Sequence, residues 1–129
     1  MSTNECDIQT AVSRLVTFYE TLDRQQLDRL DHVYLPEAHF KDPFNDVVGI
    51  QGVRKIFQHM FDALEAPRFQ ISQQFINGQQ AALVWTFRFR LKRLTDAEMT
   101  VNGMSLVTFT KVGLVAEHRD YWDAAEEFY

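Results

Sequence analysis

The sequence has 129 residues, 46% of them hydrophobic, which is enough chain for one domain with a buried core. Its formal charge of −5 argues against nucleic acid or an anionic membrane surface as the main partner. The single cysteine, Cys6, rules out a disulfide bond within the chain, and the longest apolar run, residues 81–85, is too short to cross a bilayer. We therefore predict one domain spanning residues 1–129, located in the cytoplasm, with neither nucleic acid nor membrane as a partner.

The first half of the sequence has the periodicity of helices. Apolar residues recur at three- and four-residue steps over residues 7–23 and again over residues 25–34, where Pro36 is expected to end the second helix. A short strand is predicted over residues 38–42, followed by a loop. A third helix is predicted over residues 52–64.

The second half alternates between apolar and polar residues, which is the pattern of strands. Strands are predicted over residues 69–75, 81–91, 99–110 and 114–123, with a tight turn at Asn77-Gly78 between the first two. Helices packed on one face of such a sheet are an α+β arrangement. The prediction is a curved, mainly antiparallel sheet wrapped around three N-terminal helices, forming a cone with an internal cavity.

The last predicted strand carries the strongest functional signal. Side chains alternate between the two faces of a strand, so His118, Asp120 and Trp122 share one face. A carboxylate beside an imidazole favours one tautomer of the ring, and such a pair can move protons near neutral pH. Trp122 would add a flat apolar wall to a pocket. The alternative interpretation is a structural His–Asp contact at the edge of a sheet.

A second candidate for acid–base chemistry is Asp42. Pro43 follows it and restricts its backbone to extended conformations, so its carboxylate could be a fixed base. The alternative is a plain turn, in which Asp-Pro pairs are common. We expect neither a metal nor a cofactor, because the four histidines lack ligand spacing and no glycine-rich nucleotide motif occurs.

The strand predicted over residues 81–91 is strongly aromatic on one face. Leu83, Trp85, Phe87 and Phe89 share that face, where core packing is the simplest interpretation and a ligand-binding wall is the alternative. The opposite face and the residues after it are basic. A solvated or dimer-facing surface is favoured there over a phosphate site, and the basic residues are Arg88, Arg90, Lys92 and Arg93.

Four motifs carry a family resemblance that extends over nearly the whole chain. They are Phe18-Tyr19-Glu20-Thr21-Leu22, Phe40-Lys41-Asp42-Pro43-Phe44, residues 49–57, and Glu117-His118-Arg119-Asp120-Tyr121-Trp122-Asp123. In this order they resemble the nuclear transport factor 2-like superfamily. The chain is most similar to the branch that holds ketosteroid isomerase and the SnoaL-like polyketide cyclases.

The resemblance assigns roles to individual positions. Ketosteroid isomerases use an aspartate base in an Asp-Pro pair on the first strand, which Asp42 matches. Their two oxyanion-hole donors align with Phe18 and Ser105, which argues against steroid isomerisation, although Tyr19 lies next to Phe18. SnoaL-like cyclases use an aspartate on the last strand, which Asp120 matches. The Asp-Arg-Asp network of limonene epoxide hydrolases is not matched, because no carboxylate falls within residues 99–110.

The implied function is a cofactor-independent isomerase or cyclase that performs acid–base chemistry on a small apolar carbonyl compound. Asp120 is the predicted general base, His118 orients it or returns the proton, and Asp42 is a second acid–base group. The alternatives are a non-catalytic module that binds small ligands and a dimeric interaction protein. The family also implies a homodimer paired through the outer face of the sheet. The predicted substrate contacts are Phe18, Tyr19, Phe57, Met60, Trp85, Phe87, Ser105 and Trp122.

Overall fold

The computed structural model describes residues 5–91 and 97–122, which form three helices and six strands. The helices are α1 (Ile8–Glu20), a 3₁₀ helix (Gln25–His32) and α2 (Ile50–Ala63). The strands are β1 (Tyr34–Lys41), β2 (Asp46–Val48), β3 (Leu64–Asn77), β4 (Gln80–Leu91), β5 (Glu98–Phe109) and β6 (Val115–Tyr121). None of the helices in these two ranges is long and apolar enough to span a membrane.

The six strands form one sheet in the order β2-β1-β6-β5-β4-β3. Neighbouring strands are antiparallel except β1 and β6, which run parallel. Gly78 makes the tight turn between β3 and β4 with a φ of 62°, a left-handed conformation that glycine adopts without a steric penalty. The sheet stays open, with β2 and β3 at its edges, and it curves around the helices.

The two α-helices cover the inner face of the sheet through apolar stripes at helical spacing. α2 begins close against β2 because Gly52 has no side chain, and an added Cβ would lie 2.8 Å from the Cβ of Val47. The helices and the inner faces of β1, β4, β5 and β6 make the main core. The buried helical positions are Ala11, Val12, Leu15, Phe18, Tyr19, Val53 and Phe57.

The predicted fold class is confirmed: the protein is an α+β cone with a curved, mostly antiparallel sheet around its helices. The helical and alternating patterns identified six elements near their observed bounds, because each element buries one face, whereas the strands predicted over residues 38–42 and 69–75 begin four and five residues late. The predicted residues Lys92, Arg93 and Asp123 lie outside the described ranges.

Some local predictions are wrong. The second helix does not reach residue 34, because Tyr34 begins β1 and Pro36 lies inside that strand rather than ending a helix. Pro36 falls where the register of β1 against β6 shifts, so the regular ladder does not need the N–H that proline lacks. Pro67 likewise lies inside β3, at a register shift against β4. The predicted loop before α2 contains the short strand β2.

Candidate active site

β6 carries the predicted acid–base pair in the middle of the sheet. It lies between β1 and β5, and its inner face presents His118 and Asp120 as the alternation predicts. Glu117, Arg119 and Tyr121 are exposed on the opposite face. The side chains of His118 and Asp120 are in direct contact, with Nε2 of the histidine 2.7 Å from Oδ1 of the aspartate.

Asp120 receives two hydrogen bonds on one of its carboxylate oxygens. It lies opposite Ser105 in the β5–β6 pairing, and its Oδ1 accepts from Ser105 Oγ and from His118 Nε2. Trp85 Nε1 donates to Ser105 Oγ at 2.8 Å, and because an indole only donates, the hydroxyl hydrogen is committed to Asp120. Within the described part of the chain, no group donates to Asp120 Oδ2, so this oxygen is an available acceptor.

Behind Asp120, a buried chain of hydrogen bonds holds the His118 ring. A carboxylate only accepts, so Nε2 carries the ring hydrogen and Nδ1 accepts from the Tyr34 O–H at 2.7 Å. Tyr34 Oη in turn accepts from the Tyr19 O–H. His118 is 2% exposed and Tyr34 is fully buried, so water does not compete for these bonds. The chain therefore fixes both the tautomer and the orientation of the imidazole.

The two phenols in this chain are held in their protonated form. Burial raises the pKa of Tyr19 well above its ordinary value of 10, and the neighbouring Tyr34 and Asp120 raise it further. Burial also raises the pKa of Tyr34, against a smaller lowering effect of its bond to Tyr19. Both hydroxyl groups therefore remain hydrogen-bond donors across the physiological pH range.

Asp120 lies in the wall of a cavity of about 330 Å³ between α2 and the sheet. The remaining wall is almost entirely aromatic and aliphatic, and no lysine or arginine of the described chain lines it. The predicted contacts that line it are Phe57, Met60, Trp85, Phe87 and Trp122, together with Asp42, and the further aromatic residues are Phe40, Phe44, Phe69 and Phe89.

Two other predicted substrate contacts, Tyr19 and Ser105, lie further inside the protein than this cavity. They line a much smaller space of about 10 Å³, next to Asp120 and Trp85, which has the size of a single water site. Phe18 lines neither space. It is packed in the core with its ring against the edge of Tyr19, and its contact with a substrate stays a prediction of the sequence. His118 also stays behind the wall, because Asp120 and Phe40 lie between it and the cavity.

Asp42 lies at the rim of the cavity, and its carboxylate organises a turn. Its Oδ1 accepts from the backbone N–H groups of Phe44 and Asn45 at 2.8 and 2.7 Å. The Asn45 side-chain amide donates to both carboxylate oxygens at 3.1 Å. This is the turn alternative that the Asp-Pro pair left open, and it places Phe44 beside the cavity.

The two tryptophans of the wall differ in how their N–H groups are used. Trp85 lies over Gly103, where an added Cβ would be 2.4 Å from the indole ring, so the glycine provides the room that brings Nε1 to Ser105. Trp122 packs its ring against Phe44 and Trp85, with centroid distances of 6.2 and 6.1 Å. Its Nε1 is buried without a hydrogen-bond partner in the described structure.

Sequence reasoning missed Tyr34, which contacts His118 directly. The sequence does contain an indication of its conformation. The residue before a proline favours extended backbone, so Leu35-Pro36 favours a strand that begins near Tyr34. It also missed Phe40 and Phe69 as parts of the wall. In residues 5–91 and 97–122, no three His, Cys, Asp or Glu side chains come close enough together to hold a metal ion.

Comparison with known proteins extends these observations. The family model of the SnoaL-like domain matches residues 15–118 of the chain. No curated protein matches the sequence. A solved SnoaL-like polyketide cyclase from Jannaschia sp. CCS1 is similar with a TM-score of 0.77 and 15% identity, over 98% of this chain and 92% of that one.

Two further solved structures contain small molecules. A protein of ketosteroid isomerase-like fold from Catenulispora acidiphila, in complex with trimethylamine, has a TM-score of 0.74 and 13% identity, over 95% of this chain and 90% of that one. TerC, co-crystallised with polyporic acid, has a TM-score of 0.77 and 14% identity, over 92% of this chain and 93% of that one. At such identities the similarity shows a shared fold.

Proposed function

Because the chain belongs to the SnoaL-like domain family, we propose that it is a cofactor-independent isomerase or cyclase acting on a small, largely apolar carbonyl compound. The observation that carries this proposal is the position and hydrogen bonding of the Asp120 carboxylate. Its carboxylate lies in an aromatic cavity, two donors hold Oδ1, and Oδ2 is left available. A fixed carboxylate in a water-poor cavity is suited to removing a proton from a carbon next to a carbonyl group.

In this mechanism Asp120 is the general base, and Oδ2 takes the proton. His118 and Ser105 are positioning groups, because each donates to Oδ1 and together they set the plane of the carboxylate. The same oxygen can return the proton to another carbon in an isomerisation. Asp42 receives no proton in this proposal, since both of its oxygens already serve the turn with Asn45.

Deuterium exchange tests the proposal without knowledge of the natural substrate. The protein is incubated in D₂O with β-tetralone and a small panel of other aryl ketones, and deuterium uptake next to the carbonyl is followed by NMR. A positioned base typically contributes about 10²–10⁴-fold, so Asp120→Asn should lose most of the protein-dependent exchange. Glu117→Gln, which changes an exposed carboxylate on the other face of β6, should keep it.

The second candidate function is binding without turnover. An aromatic wall with carboxylates, and with no lysine or arginine among its described residues, favours flat neutral ligands or amine cations over anions. The similar structures bound to trimethylamine and to polyporic acid support a small ligand in this fold. Ketone binding that survives Asp120→Asn, with no exchange above the spontaneous rate in the wild type, would replace the enzyme proposal by this one.

The proposal includes a homodimer that pairs through the outer face of the sheet. Phe75, Leu106 and Tyr121 are large apolar side chains that are 58%, 39% and 42% exposed. The cross-strand register places Phe75 and Leu106 on either side of Ala82 on one face of the sheet. Exposed apolar clusters of this kind commonly mark interfaces. A cytoplasmic location remains a prediction of the sequence.

A further inference from the structure

Among the described residues, the cavity wall contains one buried hydrogen-bond donor without a partner. In the described structure, Nε1 of Trp122 is the only buried side-chain nitrogen or oxygen without a hydrogen-bond partner. Buried polar groups normally have a hydrogen-bond partner, and a buried group without one lowers the stability of the fold. Each exception therefore calls for an explanation. Trp85, the other tryptophan of the chain, donates its N–H to Ser105.

The remaining polar atoms near the base already have partners. Ser105 and His118 donate to Asp120 Oδ1, and Tyr34 donates to His118. Among the buried polar atoms around the cavity, this leaves one donor without a partner, Trp122 Nε1–H, together with the available acceptor Asp120 Oδ2; His59 also lines the cavity but is exposed on α2. Trp122 directly follows the end of β6, two positions after Asp120 and beside the same cavity, so at about 3.3 Å per residue of extended chain their Cα atoms are separated by roughly 7 Å.

We propose that the Trp122 indole N–H binds the carbonyl oxygen of the substrate while Asp120 Oδ2 takes a proton from the adjacent carbon. The substrate class is therefore an enolisable ketone with a flat apolar body, and Trp122 is a catalytic residue. This inference rests on the proposed function and adds the group that stabilises the oxyanion, a role that neither Phe18 nor Ser105 can fill.

The step is balanced in atoms and charge. The C–H bond breaks, its electron pair forms the carbon–carbon double bond of the enolate, and the carbonyl π electrons move onto oxygen. The proton ends on Asp120, and Trp122 keeps its own hydrogen while donating a hydrogen bond. Negative charge thus moves from the carboxylate to the substrate oxygen, so the net charge of the cavity does not change. A donor placed where charge develops is worth about 10²–10³-fold in rate.

The side chains around the indole allow a ligand to reach it. Trp122 packs between Trp85 and Phe44, and Phe44 is 69% exposed, so core packing does not hold it in place. Because Nε1 itself is buried in this conformation, the proposal requires Phe44 or the indole to rotate when the ketone binds. The aromatic rings that remain then cover the flat body of the ketone.

The two tryptophans make a direct test possible, because the nitrogen-15 spectrum of the labelled wild-type protein contains two indole signals. The probes are β-tetralone and tetralin, which has the same skeleton without the carbonyl oxygen. β-Tetralone should move the Trp122 indole proton downfield and leave the Trp85 signal nearly unchanged. Tetralin should cause no such downfield shift.

A variant gives the second measurement. Trp122→Phe keeps an aromatic ring and removes the N–H, so the affinity for β-tetralone should fall about five- to tenfold while that for tetralin changes little. Its deuterium exchange should fall about 100-fold. If the variant does not fold, the wild-type spectra still decide the question.

The failures of the two proposals are distinguishable. If β-tetralone does not bind, or leaves the Trp122 signal in place, the role of Trp122 is wrong. It is also wrong if Trp122→Phe exchanges deuterium at the wild-type rate while Asp120→Asn does not, and the proposed function then stands. If β-tetralone shifts the Trp122 signal but the wild type catalyses no exchange, the carbonyl-binding donor stands and the proposed enzyme function falls.

Discussion

His118 contacts Asp120 with one ring nitrogen and Tyr34 with the other, so neither nitrogen is free to meet a ligand. The sequence left two roles open for this histidine, orienting the base or returning the proton. The geometry favours the first role, because both ring nitrogens are bonded and the ring is buried behind the cavity wall. Tyr34 then becomes a positioning residue as well, acting on Asp120 through His118.

Tyr34→Phe should test this chain of bonds. The variant removes the O–H that donates to His118 Nδ1 and also the oxygen that accepts from Tyr19, which leaves Tyr19 Oη, 3.5 Å from Nδ1, as a more distant donor to the ring. We expect the free energy of unfolding to fall by about 1–3 kcal/mol in urea denaturation. We also expect the His118 ring nitrogens, followed by nitrogen-15 NMR, to show a mixture of tautomers in place of one.

The matched control is Tyr121→Phe. Tyr121 lies on the outer face of β6 and is 42% exposed, so loss of its hydroxyl should change the free energy of unfolding by less than about 0.5 kcal/mol. Equal stabilities of the two variants, together with a single unchanged His118 tautomer, would contradict the positioning role of Tyr34.

The predicted placement of individual side chains was correct where it depends on the alternation of a single strand. Simple alternation along β6 brought His118 and Asp120 onto one face, because a strand has only two faces. Tyr34 was missed because its local pattern continues the apolar spacing of the preceding helix, while its true conformation depends on pairing with the distant Val115. Phe18 and Tyr19 are neighbours on α1 and both are buried, so only the packing of the whole helix decides which one reaches His118.

At the scale of elements, the short strand β2 is attached to β1 by charge as well as by backbone pairing. His39 on β1 lies with Nε2 2.6 Å from Asp46 Oδ1, and its Nδ1 is 3.6 Å from Glu117 Oε2 on β6. The bond to Asp46 is the largest cause that raises the pKa of His39 above 6.5, and Glu117 adds to it. The same bond lowers the pKa of Asp46 below 3.8, with smaller effects of Lys41 and Arg119.

The stabilisation of β2 by this ion pair depends on pH. Because the pKa of His39 is raised on folding, its contribution to stability is fully present below about pH 6.5 and is lost as the pH rises through the folded pKa. Because the pKa of Asp46 is lowered, its contribution is present above about pH 3.8 and is lost as the pH falls through the folded pKa. The pair therefore holds β2 most firmly in mildly acidic solution.

An NMR titration checks this pH dependence. The His39 ring should titrate above pH 6.5 in the wild type, and Asp46→Asn should move its pKa downward because the charged partner is lost. The protection factors of the β2 amides, which correct the exchange rates for their intrinsic rise with pH, should fall above the His39 pKa in the wild type and depend less on pH in the variant. A His39 pKa that Asp46→Asn leaves unchanged would show that the ion pair does not form in solution.

Element-level prediction was limited by length and by long-range pairing. α1, α2 and β3 to β6 each contain enough residues for a period to be read, and all of them except β3, whose prediction began five residues late, were predicted near their observed bounds. β2 has three residues, too few for any period, and it exists because β1 offers it a partner. Pro36 was expected to end a helix, yet it lies in β1 at a register shift, as Pro67 does in β3, and local sequence does not reveal such shifts.

At the scale of the whole molecule, the outer sheet face is the surface best suited to a second copy of the chain. Met104 and Tyr121 face each other across β5 and β6, next to Leu106, and all three are exposed. Since these side chains project away from the cavity, pairing through them would leave the candidate active site open. The dimer and the enzyme proposal can therefore be tested separately.

Leu106→Glu should convert the proposed dimer into a monomer. A carboxylate at the centre of a paired apolar face loses its hydration in the dimer, and an ion pair with Arg119, which lies opposite position 106 on β6, offsets only part of that cost. Size-exclusion chromatography with light scattering at micromolar concentration measures the mass directly. Gln51→Glu adds the same charge at an exposed position on α2 and should remain dimeric. A monomeric wild type would end the homodimer prediction.

The parallel pairing of β1 with β6 also sets the order in which the molecule can be completed. Val115 pairs with Tyr34, so all the residues between them must be synthesised before β1 and β6 can pair. Until then the aromatic faces of β4 and α2 have no last strand to cover them, and β1 and β5 both present open edges. Contacts between such distant residues slow folding. The hydrogen bond between Asp120 and Ser105 therefore forms late in folding. The nascent chain must stay soluble until then, because the candidate active site is incomplete before β6 pairs.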